Sequence, residues 1–298
     1  MILNLHIGYA KTATTFLQEH IFPNISGIDY AGRYINRLGD ERDNLDWVYQ
    51  FAKTANLDAK AIIKTLPNSK QQNCLMSHEV IMRPYKLDEA LSALGSLQNH
   101  IEHLRILISI RNPVDLIFSR YVHDISTGIF KPYSLKEALD YAGHSECMWP
   151  MCGNSIKNKL WRKSPFNGGS CLCNKKKVKS INIPYYELDT LNKKLETIFR
   201  SDKVHYIVSE RLKAKPENEI DRLCNFLDNG ITAFKFDPKL LDSSDNSNQR
   251  SNLDIYQKLK QENIANGVLG ELIEHFKLSN RAFAERTGMD VLGNLGYY

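Results

Sequence analysis

Short apolar runs recur along the chain, and stretches of helical periodicity separate them. The first run covers residues 3–7 and ends at Gly8, whereas residues 73–79 begin as an apolar strand and end in polar side chains. Residues 104–110 are almost continuously apolar, and a shorter strand-like run covers Val204–Val208. Runs of about four to eight such residues with polar boundaries are typical of strands that are buried on both faces of a sheet.

Leucine and isoleucine recur at helical spacing between these runs, for example near residues 188–199 and 217–227. Pro113 fits the first turn of a helix that follows the third run. Strands that alternate with helices predict a three-layer α/β fold, in which helices flank a mainly parallel sheet. We expect a single domain over residues 1–298, with an irregular insertion at about residues 143–182.

The turn after the first run has the composition of a phosphate-binding loop. Gly8 permits a sharp turn, Lys11 supplies a mobile positive charge, and Thr12, Thr14 and Thr15 bring hydroxyl groups to the start of a helix. Backbone amides at a helix N-terminus point toward an anion, and the helix dipole adds to the attraction. The common P-loop places its lysine after a second glycine, which this turn lacks. The order of elements still predicts a fold of the P-loop nucleotide-binding type.

A second candidate anion site follows the apolar run at residues 104–110. Arg111 stands directly after the run, and Ser119 lies two helical turns farther along the predicted helix. The planar guanidinium group of arginine can give paired, charge-assisted hydrogen bonds to a phosphate.

Together the two segments resemble the motifs of sulfotransferases that use 3'-phosphoadenosine 5'-phosphosulfate (PAPS). Residues 10–15, Ala-Lys-Thr-Ala-Thr-Thr, are similar to the 5'-phosphosulfate loop P-K-[TS]-G-[TS]-[TS], with alanine in place of its proline and glycine. The run that ends in Arg111, with Ser119 eight positions later, resembles the 3'-phosphate motif. The resemblance implies a set of PAPS-binding residues: Gly8, Lys11, Thr12, Ala13, Thr14, Thr15, Arg111 and Ser119.

Polar residues at the end of the strand-like run at 73–79 are candidates for proton transfer. Ligand and catalytic groups lie beyond the carboxyl ends of parallel strands, where Ser77-His78-Glu79 would stand. An imidazole with a pKa near ~6.5 or a carboxylate with a raised pKa can accept a proton from an alcohol. The resemblance implies catalytic roles for Lys11, His78 and Glu79, and which of His78 and Glu79 is the base stays open. The alternative, that both only cap the next helix, also stays open.

Composition narrows the classes of partner. The 298 residues carry a formal net charge of +5, which suits a small anionic ligand and does not require nucleic acid. The chain has no long apolar run and no basic leader before the first strand, so we expect a cytoplasmic protein without a transmembrane segment. The six cysteines lack the paired C-x-x-C spacing of zinc sites, which favours free thiols over a zinc site or a disulfide.

The resemblance therefore implies an enzyme that moves a sulfuryl group from PAPS to an acceptor hydroxyl by in-line displacement. The product nucleotide would be 3'-phosphoadenosine 5'-phosphate (PAP), no metal is expected, and a glycan is the first acceptor to consider. One alternative is an ATP-dependent P-loop kinase, which would leave Arg111 and Ser119 unexplained and would need magnesium. Another is a nucleotide-binding protein without turnover, an alternative that Ala10 and Ala13 keep open.

Overall fold

The computed structural model describes residues 2–32, 73–77, 82, 87–101, 103–126, 134–140, 183–228 and 247–298. The chain divides into two compact units, and each consists of two segments. The first unit comprises Met1–Asn112 and Thr190–Asp245, and the second comprises Pro113–Asp189 and Asn246–Tyr298. The single domain over residues 1–298 stays a prediction, and the expected insertion at 143–182 lies outside the described residues.

A five-stranded sheet forms the centre of the first unit. Its spatial order is β2-β3-β1-β4-β5, and every neighbouring pair is parallel. The strands are β1 (Ile2–Gly8), β2 (Asp29–Gly32), β3 (Asn73–Ser77), β4 (His103–Ile110) and β5 (Val204–Val208). Helices flank this sheet, which confirms the predicted α/β fold. Because β1 lies between β3 and β4 and is parallel to both, the carboxyl ends of these three strands lie at the same edge of the sheet.

The helices of the described residues alternate with the strands, as the periodicity predicted. A helical segment after β1 is α-helical over Thr14–Phe16, a π-helix over Leu17–Ile21 and a 3-10 helix over Phe22–Asn24. The other α-helices are Leu87–Ser96, Pro113–Ser126, Leu135–Asp140, Leu188–Glu196, Ser209–Ala214, Pro216–Asp228, Ser247–Ala265, Val268–Thr287 and Val291–Asn294. Short 3-10 helices cover Leu97–Asn99, Ile183–Tyr186 and Ser201–Lys203.

Both faces of the sheet are buried, which explains the nearly continuous apolar runs. On one face, apolar side chains of three strands pack against the helices at residues 14–24, 209–214 and 216–228. The members of this core that the strands contribute are Leu75, Leu107 and Ile207. Side chains alternate between the faces, so Leu3, Leu5 and Ile7 of β1 lie on the opposite face, where they are equally buried.

One ion-pair cluster ties β5 to the helices that follow it. The carboxylate of Glu219 is 1% exposed and accepts the backbone N–H of Val208 at 2.9 Å. It also pairs with Arg211 at 2.9 Å and with Arg222 at 3.3 Å. A carboxylate that has lost its water must find such partners, because an unpaired buried charge is strongly destabilising. The cluster therefore fixes the start of Ser209–Ala214 against the end of β5.

The second unit is helical in its described part. The helix Pro113–Ser126 contacts both Ser247–Ala265 and Val268–Thr287, and Phe118 meets Tyr256 edge to face with ring centroids 4.9 Å apart. At the end of the chain, the buried amide of Asn280 donates to the carbonyl of Tyr297 at 2.7 Å. Among the described residues, no helix is long and apolar enough to cross a membrane.

Candidate functional site

The loop between β1 and the first helical segment has a left-handed backbone at two residues that are not glycine. Lys11 has a φ angle of 75° and Ala13 one of 59°. For residues with a side chain this conformation costs on the order of 1–2 kcal/mol each. Two hydrogen bonds brace the turn: the Thr12 hydroxyl donates to the Tyr9 carbonyl at 2.6 Å, and the Leu17 N–H donates to the Ala13 carbonyl at 3.1 Å. Such strain persists where the surroundings fix the backbone.

Gly8 lies where β4 approaches β1 closely. A Cβ atom at this position would lie 3.1 Å from the Cβ atom of Ser109 and 3.2 Å from Cγ2 of Thr14. Gly8 and Ser109 are paired residues in the parallel ladder between β1 and β4. The missing side chain therefore lets the chain turn out of the sheet directly beside β4.

The candidate phosphate ligands of the loop differ in exposure. Lys11 is partly buried, Thr12 and Thr14 are buried, and Thr15 is exposed. Because the Thr12 hydroxyl proton is donated to the Tyr9 carbonyl, Thr12 closes the loop from within. Sequence reasoning treated the three threonines alike, since their arrangement depends on backbone angles that the residue types do not reveal.

Arg111 lies against the phosphate loop. Its Nη1 atom donates to the carbonyl of Lys11 at 3.3 Å, so the two segments that the sequence singled out meet within the first unit. The turn that carries Arg111 is held from β5 and its helix: the Ser209 hydroxyl donates to the Ile110 carbonyl at 2.8 Å, and Glu210 accepts the Asn112 N–H at 2.9 Å. The role of Ser209 was not visible in the sequence.

The described contacts do not bring the remaining candidate site residues to the loop and Arg111. Ser119 lies on the helix Pro113–Ser126 in the second unit and is partly buried, so its pairing with Arg111 stays a prediction. His78 and Glu79 lie outside the described residues. Ser77, which precedes them, is the last residue of β3 and is 1% exposed.

A buried polar cluster behind the loop was missed by sequence reasoning. It consists of His6, Gln18, Ser77 and Ser109, and we call it the His6 cluster. Nδ1 of His6 lies 2.6 Å from the hydroxyl of Ser77, and Nε2 lies 2.6 Å from the hydroxyl of Ser109. The amide of Gln18 donates to the Ser77 hydroxyl at 2.8 Å. The available signal was a pair of polar residues, Asn4 and His6, that alternate with the apolar residues of β1.

Burial sets the protonation state of this histidine. His6 has no exposed surface, and desolvation lowers the pKa of its ring to about 3. A neutral imidazole has one N–H donor and one acceptor nitrogen, so it can accept from one serine and donate to the other. The ring therefore bridges β3 and β4 across β1 without carrying a charge.

The described residues include buried cysteines, but they contain no cluster of metal-binding side chains. No group of three or more histidine, cysteine, aspartate or glutamate side chains that could hold a metal occurs among them. Cys74 and Cys224 are buried free thiols, and burial, with the charge of Asp29, raises the pKa of Cys74 to about 12. The four cysteines between residues 147 and 173 lie outside the described part of the chain.

Comparison with known proteins finds similarity over nearly the whole chain. The family model described as the sulfotransferase domain matches residues 5–287. Among solved structures, the chain is similar to the crystal structure of a sulfotransferase from Alicyclobacillus acidocaldarius, with a TM-score of 0.55 and 13% identity over 98% of each chain. At this identity the structural likeness shows the fold alone. No curated protein sequence matches the chain significantly.

Replacing Ala13 by glycine tests the left-handed loop. The change relieves about 1–2 kcal/mol of backbone strain and costs about 0.5–1 kcal/mol in the entropy of the unfolded chain. We therefore expect Ala13→Gly to raise the free energy of unfolding by roughly 0.5–1 kcal/mol in urea titrations. The matched control is Ala93→Gly in the helix Leu87–Ser96, which should lower it by about 1 kcal/mol. Equal losses in both variants would contradict the loop conformation.

The neutral His6 ring predicts a dependence of stability on pH. Above the ordinary histidine pKa of ~6.5, the ring is neutral in the folded and unfolded states. Below it, only the unfolded state gains the proton, so the free energy of unfolding falls by about 1.4 kcal/mol per pH unit until the folded pKa is reached. Urea titrations between about pH 6 and 4.5 measure the free energy of unfolding as a function of pH. In His6→Gln this free energy should fall less steeply with decreasing pH than in the wild type, by about 1.4 kcal/mol per pH unit. The buried His205 is present in both proteins and cancels. Parallel curves would show that His6 is not held neutral.

Proposed function

The chain belongs to the sulfotransferase family, and on this basis we propose that it transfers the sulfuryl group of PAPS to an acceptor hydroxyl by in-line displacement. Membership in the family supports sulfuryl transfer in general, whereas the donor, the acceptor and the residue roles below are our proposal. The single observation that carries it is the contact between Arg111 and the phosphate loop.

This contact joins the two features that PAPS requires. A donor with a 5'-phosphosulfate and a separate 3'-phosphate needs two anion sites at a fixed spacing. The loop at residues 8–15 supplies backbone amides and Lys11, and Arg111 supplies a guanidinium group whose Nη1 atom is 3.3 Å from the Lys11 carbonyl. The parallel ladder of β1 and β4 holds the two segments side by side, because both begin just after paired residues, which supports the assignment.

We assign the roles as follows. Lys11 stabilises the negative charge that develops on the leaving phosphate oxygen, and the loop amides with Thr14 and Thr15 hold the 5' end of the donor. Arg111 with Ser119 holds the 3'-phosphate, and His78 or Glu79 removes the proton of the acceptor hydroxyl. Binding donor and acceptor in line accelerates the reaction further, because the reacting atoms are already close together and correctly oriented. The acceptor that we would screen first is a carbohydrate.

Calorimetric titration with PAP, with ADP and magnesium as the parallel ligand, tests the donor site. We expect PAP to bind with micromolar or tighter affinity and ADP with magnesium to bind far more weakly. A preference for ADP with magnesium would favour a kinase. Tight PAP binding without release of PAP from PAPS in any acceptor screen would favour a nucleotide-binding protein without turnover.

Lys11→Ala should reduce turnover and leave the fold intact. Removing one group that stabilises transition-state charge typically lowers the rate about 100- to 1,000-fold. Turnover is measured as the release of PAP from PAPS, with water or a screened hydroxyl compound as acceptor. Lys136→Ala, an exposed lysine on the helix Leu135–Asp140, is the matched control and should keep the full rate. Near-normal turnover of Lys11→Ala would remove the assigned role.

Arg111→Ala should weaken the binding of nucleotides that carry a 3'-phosphate more than the binding of nucleotides that lack it. Losing charge-assisted hydrogen bonds to that group should cost PAP roughly 10- to 100-fold in affinity, while AMP, which lacks the group, should lose much less. Calorimetry with both nucleotides measures the difference. Arg105→Ala is the control, because Arg105 lies on β4, the strand that leads to Arg111, but donates to the carbonyls of Phe226 and Leu227. Equal losses for PAP and AMP would contradict the assignment.

A further inference from the structure

The His6 cluster is attached to both ends of the phosphate loop. His6 stands two residues before Gly8, where the chain enters the loop, and Gln18 stands four residues after Thr14, where the chain leaves it. Gln18 belongs to the π-helical part of the segment, and a wide helical turn of this kind often marks a functional region. Movement of either end of the loop would therefore disturb a hydrogen bond that has no access to replacement water.

The same cluster reaches the ends of the two neighbouring strands. Ser77 is the last residue of β3 and directly precedes His78, and Ser109 stands two residues before Arg111. His6, Ser77 and Ser109 lie on one face, because His6 pairs with Ser77 in one ladder and Gly8 pairs with Ser109 in the other. All four members of the cluster are at most 1% exposed.

We propose that His6 is a positioning residue for sulfuryl transfer: by joining Ser77 to Ser109 across β1, its ring sets the relative positions of the phosphate loop, Arg111 and the end of β3. This inference rests on the proposed function. His6 itself is behind the loop and acts through the groups that it holds.

The hydrogen bonds of the cluster are compatible with either tautomer of the neutral ring. The Ser77 oxygen accepts the N–H of Gln18 in both cases. With the proton on Nε2, Ser77 donates to Nδ1 and Nε2 donates to Ser109; with the proton on Nδ1, both directions reverse. In either order the ring joins the two serines, so the positioning role does not depend on the tautomer.

A purely structural role is the competing explanation, and Asn4 provides the matched control for it. Asn4 lies on the same strand and the same face as His6 and is also fully buried. Its amide donates to Asn73 at 2.5 Å and to the Cys74 carbonyl at 3.0 Å, near the opposite end of the strand. Loss of either side chain should destabilise the sheet, but only the loss of His6 should disturb the loop.

The experiment compares His6→Leu with Asn4→Leu by urea unfolding and by calorimetric titration with PAP. We expect both variants to be less stable, and His6→Leu alone to lose about tenfold or more in PAP affinity. Ser109→Ala is the milder variant if His6→Leu does not fold, and it should lose roughly threefold to tenfold. His6→Gln, whose amide can still reach one serine, should recover part of the loss.

The outcomes separate this inference from the function on which it rests. If the wild-type protein binds PAP and the His6→Leu and Asn4→Leu variants lose affinity equally, or neither loses any, the positioning role is wrong. The same conclusion follows if Ser109→Ala binds PAP like the wild type. If the wild-type protein does not bind PAP, the proposed function fails, and the positioning role fails with it.

Discussion

The parallel pairing of β1 with β4 is the constraint on which the candidate site depends. It places Gly8 beside Ser109, and a Cβ atom at Gly8 would lie only 3.1 Å from the Cβ atom of Ser109, which is closer than an ordinary contact. The loop then starts at the same level of the sheet as the turn that carries Arg111, so a guanidinium group and a lysine loop converge although about a hundred residues separate them in the sequence. A shift of one residue in this ladder would turn inward side chains outward and separate the two segments.

Buried polar groups on the central strand β1 also help to fix its position relative to the neighbouring strands. Hydrophobic contacts stabilise the sheet but are not directional, so they tolerate small displacements of one strand against another. Hydrogen bonds inside a dry core are directional, and an unmade one costs about 1–3 kcal/mol. His6 and Asn4 therefore fix the two ends of β1 more sharply than leucines could. His6 can be buried here without a large energetic cost because its ring is neutral. A buried imidazolium would need a counter-charge, which the cluster lacks.

The sequence predicted the features that depend on local pattern. The strand runs at residues 3–7 and 104–110, the helix after Pro113 and the parallel α/β order follow from periodicity and length, and the structure confirms them. Features that depend on long-range contacts or on particular backbone angles were not predictable in this way. The brace from Ser209, the inward role of Thr12 and the His6 cluster each need a partner or a backbone angle that only the folded chain defines.

Ala13 has a left-handed backbone at the position where the resembling motif has glycine. Glycine is the usual residue for left-handed backbone because it has no Cβ atom, yet Ala13 adopts a φ angle of 59°. The cost of about 1–2 kcal/mol is comparable to one or two hydrogen bonds. The Thr12 hydroxyl, the Leu17 N–H and the Arg111 guanidinium each hold one carbonyl between Tyr9 and Ala13, so the loop is fixed at three points. These contacts offset the strain, so the left-handed backbone does not require glycine at this position.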